Sequence, residues 1–221
     1  MSFCIVFNLL SYVDTEGSQM KILVLGASGR TGQKFVHHAR NQHEVLAFGR
    51  RKAPGVSLSK VGVFGDECFA EMVQASDAVV SCLASTNSEP VCSKATKALL
   101  AEKPGVRYVT IAEAAVDHPQ DRKGVPDIIA GGIMRLIVGG MLADRQKELE
   151  MLMQSQPAWT VLRPPRLVNG RATGAWQTTS DRPATTWIDR DDLARALLEM
   201  VESSTHLGTA PFVSTATGEK S

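Results

Sequence analysis

Along the chain, short runs of consecutive apolar residues alternate with longer stretches in which apolar positions recur every three or four residues. The runs fall at 21–25, 44–48, 61–64, 78–83, 107–112 and 158–162 and are rich in Val, Ile and Leu. Such continuous apolar character, in place of strict alternation, marks strands buried on both faces. The helical stretches lie at 30–41, 67–75, 90–103, 141–155 and 190–202. In the last of these, acids from Asp189 to Asp192 occupy the start, and Leu193, Leu197, Leu198 and Val201 form an apolar stripe. Strand and helix in succession predict an α/β fold: a doubly wound parallel sheet in a three-layer αβα domain with right-handed crossovers. No repeat, low-complexity tract or linker divides the chain, so residues 20–221 are read as a single domain.

The first apolar run leads into LVLGASGRTGQ, Leu23 to Gln33. Gly26 and Gly29 let the backbone turn sharply and approach a pyrophosphate, and Gly32 lets the following helix lie close to the strand. The intervening Ala27, Ser28, Arg30 and Thr31 belong to the same turn and to the first helical turn, whose N–H groups and positive dipole end would face the phosphates. Three spaced glycines by themselves fit any tight strand-to-helix turn. Their place after the first strand and before a helix that returns to a second strand makes this a Rossmann-like dinucleotide-binding unit.

The end of the second strand distinguishes the two nicotinamide dinucleotides. An acid there receives the ribose 2′-OH of NAD(H), whereas a 2′-phosphate favours arginine. The sequence reads VLAFGRRKAP, with Arg50, Arg51 and Lys52 and no acid. NADP(H) is therefore expected over NAD(H), through charge-assisted contacts from Arg50 and Arg51; a solvated basic turn is the other reading of the same residues.

GASGRTGQ, the GD at Gly65 and Asp66, SDAVVSCLAS and WTVLRPPRLVNG together resemble the atypical short-chain dehydrogenase/reductase proteins with an NAD(P)H-binding fold. Within that group the likeness is to NmrA-like proteins and to NADPH-dependent flavin/biliverdin-IXβ reductases, over most of the chain from Met20 onward. The resemblance implies that Asp66 lies near the adenine and that Cys82, Leu83, Ala84 and Ser85 line the cofactor. It also implies that Thr110 and Ile111 pass beside the nicotinamide ribose, and that Pro164, Pro165 and Arg166 close over the nicotinamide end. Each stretch is also a strand's carboxyl end, where open parallel sheets bind ligands. Of the two arginines there, Arg163 suits a buried structural tie and Arg166 the pocket. In the group, the segments holding Trp176 and Trp187 form part of the substrate cover; packing of a satellite cluster is the other reading.

Common short-chain dehydrogenases use a Tyr whose pKa is lowered by a Lys one helical turn later. The chain has only Tyr12 and Tyr108, followed four residues on by Glu16 and Ala112, and Lys147 has no tyrosine partner. Hydride transfer to a flavin, quinone or related conjugated acceptor asks less of the protein: the acceptor stacks on the nicotinamide, and its proton can come from water. The expected activity is thus an NADPH-dependent reductase of a small conjugated acceptor, with Thr110, Glu113 and Arg166 as candidate catalytic residues. In the flavin/biliverdin reductases a serine and a histidine hold positions that read Ala112 and Arg166 here, a departure that leaves the cofactor site intact. His118 is the histidine placed nearest the pocket. The alternative is a non-catalytic, NmrA-like sensor of NADP(H) acting through a protein partner.

Composition narrows the remainder. The chain has 221 residues and a net charge of +1, which gives no reason to expect nucleic acid or an anionic membrane as partner. Four cysteines, Cys4, Cys68, Cys82 and Cys92, lack metal-ligand spacing, and no metal site is expected. Reduced thiols suit a cytoplasmic protein. Residues 1–19 are read as a leader, either a start-site extension or a mobile arm, since MKILVLG from Met20 already reads as a complete start for the first strand; with no basic residue before their apolar run, a signal peptide is not expected. Residues 125–144, broken by Arg135 and four glycines, are read as a buried loop and helix start rather than a membrane span.

Overall fold

The computed structural model describes residues 19–87, 89–119, 121 and 125–217. The leader otherwise lies outside the described residues, as do Cys4 and Tyr12. Five strands and four helices establish the first part of the fold: β1 (Lys21–Leu25), α1 (Arg30–Ala39), β2 (Glu44–Gly49), β3 (Leu58–Val61), α2 (Glu67–Gln74), β4 (Ala78–Ser81), α3 (Val91–Glu102), β5 (Arg107–Ile111) and α4 (Val125–Met153). The rest of the order is β6 (Trp159–Leu162), β7 (Arg166–Val168), β8 (Trp176–Thr179), β9 (Trp187–Asp189), α5 (Arg190–Glu202) and β10 (Phe212–Thr215).

Strands β1 to β6 form one parallel sheet in the order β3-β2-β1-β4-β5-β6. Ile22 to Leu25 in β1 are fully buried, as are all four residues of β4 apart from a trace at Ala78, because each strand is covered on both faces. One core packs α1 and α5 over Ile22, Val24 and Val80; the other packs α2, α3 and α4 over Leu23, Leu25 and Val79. This is the doubly wound, three-layer arrangement anticipated from the apolar runs. Beyond β6, Thr209 and Phe212 bridge Thr160 and Arg163 in parallel, β8 pairs antiparallel with β10, and β7 pairs with β9.

Two expectations are corrected. The third strand occupies Leu58–Val61, not 61–64, and it is an exposed edge in place of a buried strand, with Val63 at 74% exposure. The residues after it turn instead: Asp66 accepts the Val63 N–H at 2.9 Å and that of Phe69 at 2.7 Å, so one carboxylate closes the turn and caps α2. Residues 125–144 are helical, not a loop, and α4 runs from Val125 to Met153. Its glycines cost about 1 kcal/mol each relative to alanine, which weakens a helix without ending it. Pro126 falls in the first turn, where no intrahelical N–H is needed. Gly140 marks a close approach: a Cβ there would lie 2.5 Å from the Asn87 carbonyl oxygen. Among the described residues no helix is long and apolar enough to cross a membrane.

Candidate functional site: a cleft at the sheet's switch point

The sheet order reverses direction between β1 and β4, so the loops leaving these strands diverge and open a crevice above their carboxyl ends. The crevice is a cavity of about 250 Å³ lined by Gly26 to Gly29 after β1, Phe48 to Arg51 at the end of β2, and Cys82 to Ala84 after β4. Ala47, Ala53, Phe64 and Val91 complete the wall. The glycines are demanded by backbone contacts. Gly26 has φ +79°, and a Cβ on it would stand 2.8 Å from the Cys82 carbonyl oxygen; one on Gly32 would stand 2.3 Å from the Gly26 carbonyl oxygen. The turn is locked by the Gly29 N–H donating to Gly26 at 2.9 Å. Helix α1 therefore begins directly at the cleft with no side-chain cap and no acid in its first turn. Free N–H groups at a positive dipole end are left for an anion.

The opposite wall is fixed from α4. Asp144 accepts from Ser85 Oγ, from the Cys92 N–H at 2.9 Å and from Ser93, and so caps α3, whose own N-cap Pro90 supplies no side-chain acceptor. Burial alone would raise the Asp144 carboxyl, but these hydrogen bonds outweigh it and hold it below the usual carboxylate range. The next residue, Arg145, is buried and donates to the Leu83 carbonyl and to Glu148 at 2.6 Å. Burial opposes the Arg145 charge, yet Glu148 first, and then Cys92 and Glu113, keep the guanidinium protonated. Adjacent residues of one helix thus grip the loop Leu83 to Ser85, one through an acid and one through a base.

Of the residues singled out from the sequence, Gly26, Ala27, Ser28, Gly29, Arg50, Arg51, Cys82, Leu83 and Ala84 come together in the cleft wall. Arg50 is exposed and pairs with Glu89 at 3.0 Å. Burial pushes the Cys82 thiol up to about 12, so it lines the wall as a neutral group. The others lie elsewhere. Arg30 lines a separate cavity of about 460 Å³ with Lys34, His37 and Asp191, and Gly32 packs beneath the turn. Asp66 spends its carboxylate on the β3–α2 turn. Thr110 is fully buried, with Oγ1 donating to Glu148 at 3.2 Å, and Ile111 packs against the core.

At the end of β6 the two arginines take different places, Arg163 in the core and Arg166 at the surface, outside the cleft wall. Arg163 is fully buried, donating to Ala210, Val116 and both oxygens of Asp121, with its guanidinium 4.0 Å over the Phe212 ring. Arg166 is exposed on β7, beside the half-buried Pro165, and its N–H donates to Thr186 at 3.3 Å. Trp176 leans on the core and donates to Glu199, and Trp187 lies opposite Arg166 in β9. His118 lines another cavity, with His206 and Thr178; burial, then Arg163, lowers its pKa. Lys147 is exposed. Tyr108 is buried, bonded to Thr96 and to Glu148 at 3.1 Å, and burial followed by the Glu148 charge pushes its phenol far above the ordinary value. No tyrosine among the described residues is placed to act as an acid. Sequence reasoning missed the Asp144–Arg145 grip, because DRQKELE reads as a solvated, alternating-charge helix face; Leu142 and Leu149, buried on the same stripe as Arg145, are the signal that could have found it.

A family model for NAD(P)H-binding proteins matches residues 26–204, and the chain belongs to that family. A comparison with curated proteins finds no match. Among solved structures it is similar to a proposed NADH-flavin reductase of Streptococcus pneumoniae, at 19% identity and TM-score 0.72, covering 89% of this chain and all of that one. It is also similar to ChuY, an anaerobilin reductase of Escherichia coli O157:H7, at 17% identity and TM-score 0.72, over 91% of this chain and all of the other. A proposed NAD-dependent epimerase/dehydratase of Bacillus halodurans matches at 20% identity and TM-score 0.70, over 89% and 94%. At these identities the likeness concerns the fold. The cleft suits a nicotinamide dinucleotide on its own terms: Cβ-free glycines where the backbone must come close, uncapped N–H groups, and two arginines on the rim.

Proposed function

We propose that the protein is an NADPH-dependent reductase of a small conjugated acceptor, a flavin or quinone in kind. The observation that carries this reading is the switch-point cleft, with α1 uncapped at its floor and Arg50 and Arg51 where an NAD-selective site would present an acid. Gly26, Gly29 and the first turn of α1 would hold the pyrophosphate, and the arginine rim would hold a 2′-phosphate. When bound, the reduced nicotinamide supplies a hydride. The chain's own part is to orient and enclose, through the Leu83–Ser85 wall that Asp144 and Arg145 fix in place.

Tyr108 supports a conjugated acceptor over an alcohol or sugar, since its hydroxyl is committed inside the core. The names of the similar structures, flavin reductase and anaerobilin reductase, point the same way. Unpaired thiols at Cys68, Cys82 and Cys92 suit a reducing compartment, the cytoplasm. The test is a panel of FMN, riboflavin and quinones, run with NADPH and with NADH and followed by loss of nicotinamide absorbance. Turnover with a clear NADPH preference is expected. Tight nucleotide binding with no turnover would refute the enzyme in favour of a redox sensor, and preference for NADH would refute the role of Arg50 and Arg51.

A further inference from the structure

Beyond the cleft, helix α1 turns a polar face to the separate cavity of about 460 Å³. Arg30, Gln33, Lys34 and His37 recur at i, i+3, i+4 and i+7 and form one stripe, opposite the buried Phe35, Val36 and Ala39. Asn169, just after β7, and Asp191, in the first turn of α5, close the far side. The two cavities share no lining residue, although Gly29 of the cleft directly precedes Arg30.

The charges there are unevenly spent. Asp191 is shared by Lys34 at 3.4 Å, His38 at 3.1 Å and Arg195 at 3.2 Å. Arg30 is exposed and has no hydrogen-bond or ion-pair partner among the described residues. Arg190, half-buried at the first position of α5, donates to the Val168 carbonyl at 3.4 Å and to Asn169 Oδ1 at 3.0 Å. Neither bond is to a carboxylate, and both oxygens of the adjacent Asp189 accept backbone N–H groups, from Asp191 and Arg171. Burial, and then repulsion from Arg30, lower the Arg190 pKa, with Asp189 opposing them. Two guanidiniums thus stand close enough to repel each other, and α1, RTGQKFVHHA, holds no acid to balance them. Cations at the start of a helix also oppose its dipole, a conflict that an anion from outside relieves. His37 adds a donor: Arg40 can only donate, at 3.4 Å, so His37 Nδ1 accepts and its hydrogen sits on Nε2.

We infer that Arg30 and Arg190, with Lys34 and His37 beside them, form an anion site separate from the dinucleotide cleft, and that its ligand is a phosphate group. Two guanidiniums without a carboxylate match the charge of about −1.5 to −2 that a phosphate monoester carries at neutral pH, where a carboxylate brings one. Guanidinium N–H groups also meet phosphate oxygens in pairs. The ligand is inorganic phosphate or the phosphate end of a small molecule, two sources with one chemistry. Binding there requires no turnover, so the site stands apart from the reductase reading.

The test is calorimetric titration of the full chain with inorganic phosphate, in a phosphate-free buffer at constant ionic strength. Three variants accompany the wild type: Arg30→Gln, Arg190→Gln and, as a control on net charge, Lys147→Gln. Phosphate should bind the wild type and Lys147→Gln alike, and Arg30→Gln and Arg190→Gln about tenfold or more weakly. NADPH affinity should stay within twofold of wild type in all three, and the melting temperature of the exposed Arg30→Gln should hold. FMN that displaces bound phosphate, where riboflavin does not, identifies the ligand as the phosphate end of a small molecule; phosphate retained against both identifies the free anion. A wild type that binds no phosphate overturns the site. So does equal phosphate affinity in Arg30→Gln, Arg190→Gln and wild type, or a loss in Lys147→Gln as large as in the arginine variants. NADPH affinity that falls in step with phosphate affinity overturns it too, because the arginines then belong to the dinucleotide cleft.

Discussion

Replacing Gly32 by alanine tests the cleft at its foundation. A Cβ at this position would lie 2.3 Å from the Gly26 carbonyl oxygen and 2.9 Å from the Ala27 Cα. Both are backbone atoms, so no rotamer change relieves them. Carbon contacts settle near 3.5 Å or beyond, and the first turn of α1 must therefore move outward by roughly 1 Å. Overpacking on this scale costs about 1–3 kcal/mol of stability. The same movement withdraws the uncapped N–H groups from the phosphates, and losing one charge-assisted hydrogen bond of about 1.5–3 kcal/mol means a tenfold to hundredfold weaker NADPH affinity.

Calorimetric titration of NADPH, with a thermal melt of the free protein, reads the two effects separately. Two neighbouring substitutions grade them. Gly29→Ala places its Cβ 3.2 Å from the Gly26 oxygen and should cost distinctly less. Gly139→Ala, in α4 with nothing within 4 Å, should leave binding untouched and stabilise by up to about 1 kcal/mol. Wild-type NADPH affinity in Gly32→Ala, or equal losses in all three variants, would refute the claim that this turn forms the binding floor.

Replacing both Arg50 and Arg51 by alanine should weaken NADPH about tenfold or more and leave NADH within twofold, with the NADPH loss shrinking at high salt; parallel titrations of the two nucleotides check it. Arg163→Met removes one partner of a buried ion pair, a loss of about 3–5 kcal/mol that calorimetry should record as a melting point lower by about 10 °C. Asp144 has a folded pKa below its unfolded value, so its contribution is complete above the unfolded value of about 3.9 and drains as pH falls through the folded one. Acid titration followed by circular dichroism should show a shallower decline for Asp144→Asn, which is weaker at neutral pH, than for wild type.

The sheet was legible because its strands are buried on both faces, and a sequence with no room for polar residues declares itself. KILVL and AVVS contain almost nothing but core. The edge strand β3 was displaced because Val61 and Val63 are apolar yet exposed, a case in which composition and burial part company. Helix α4 was cut short because its glycines read as breaks, whereas one of them records a close pass of the chain at Asn87. Strands β7 to β10 escaped notice since they are only three or four residues long and pair in twos at the sheet's margin. In the cleft, the residues that act through backbone, Gly26 to Gly29 and Cys82 to Ala84, were visible from spacing. Those that act through long-range side-chain contacts were not: nothing near Asp144 announces that its partners lie 51 to 59 positions away.

That two-residue grip constrains how such a protein can change over generations. Asp144 and Arg145 attach one helix to the wall of the cleft, so an altered residue at either position unseats the cap of α3 or the Leu83 carbonyl before it touches anything bound there. Lineages exploring new acceptors would find little freedom there. The exposed and half-exposed positions of β7 and β8 take no part in that grip, so under the proposed reductase reading they are where new specificities can be written while the cleft stays as it was.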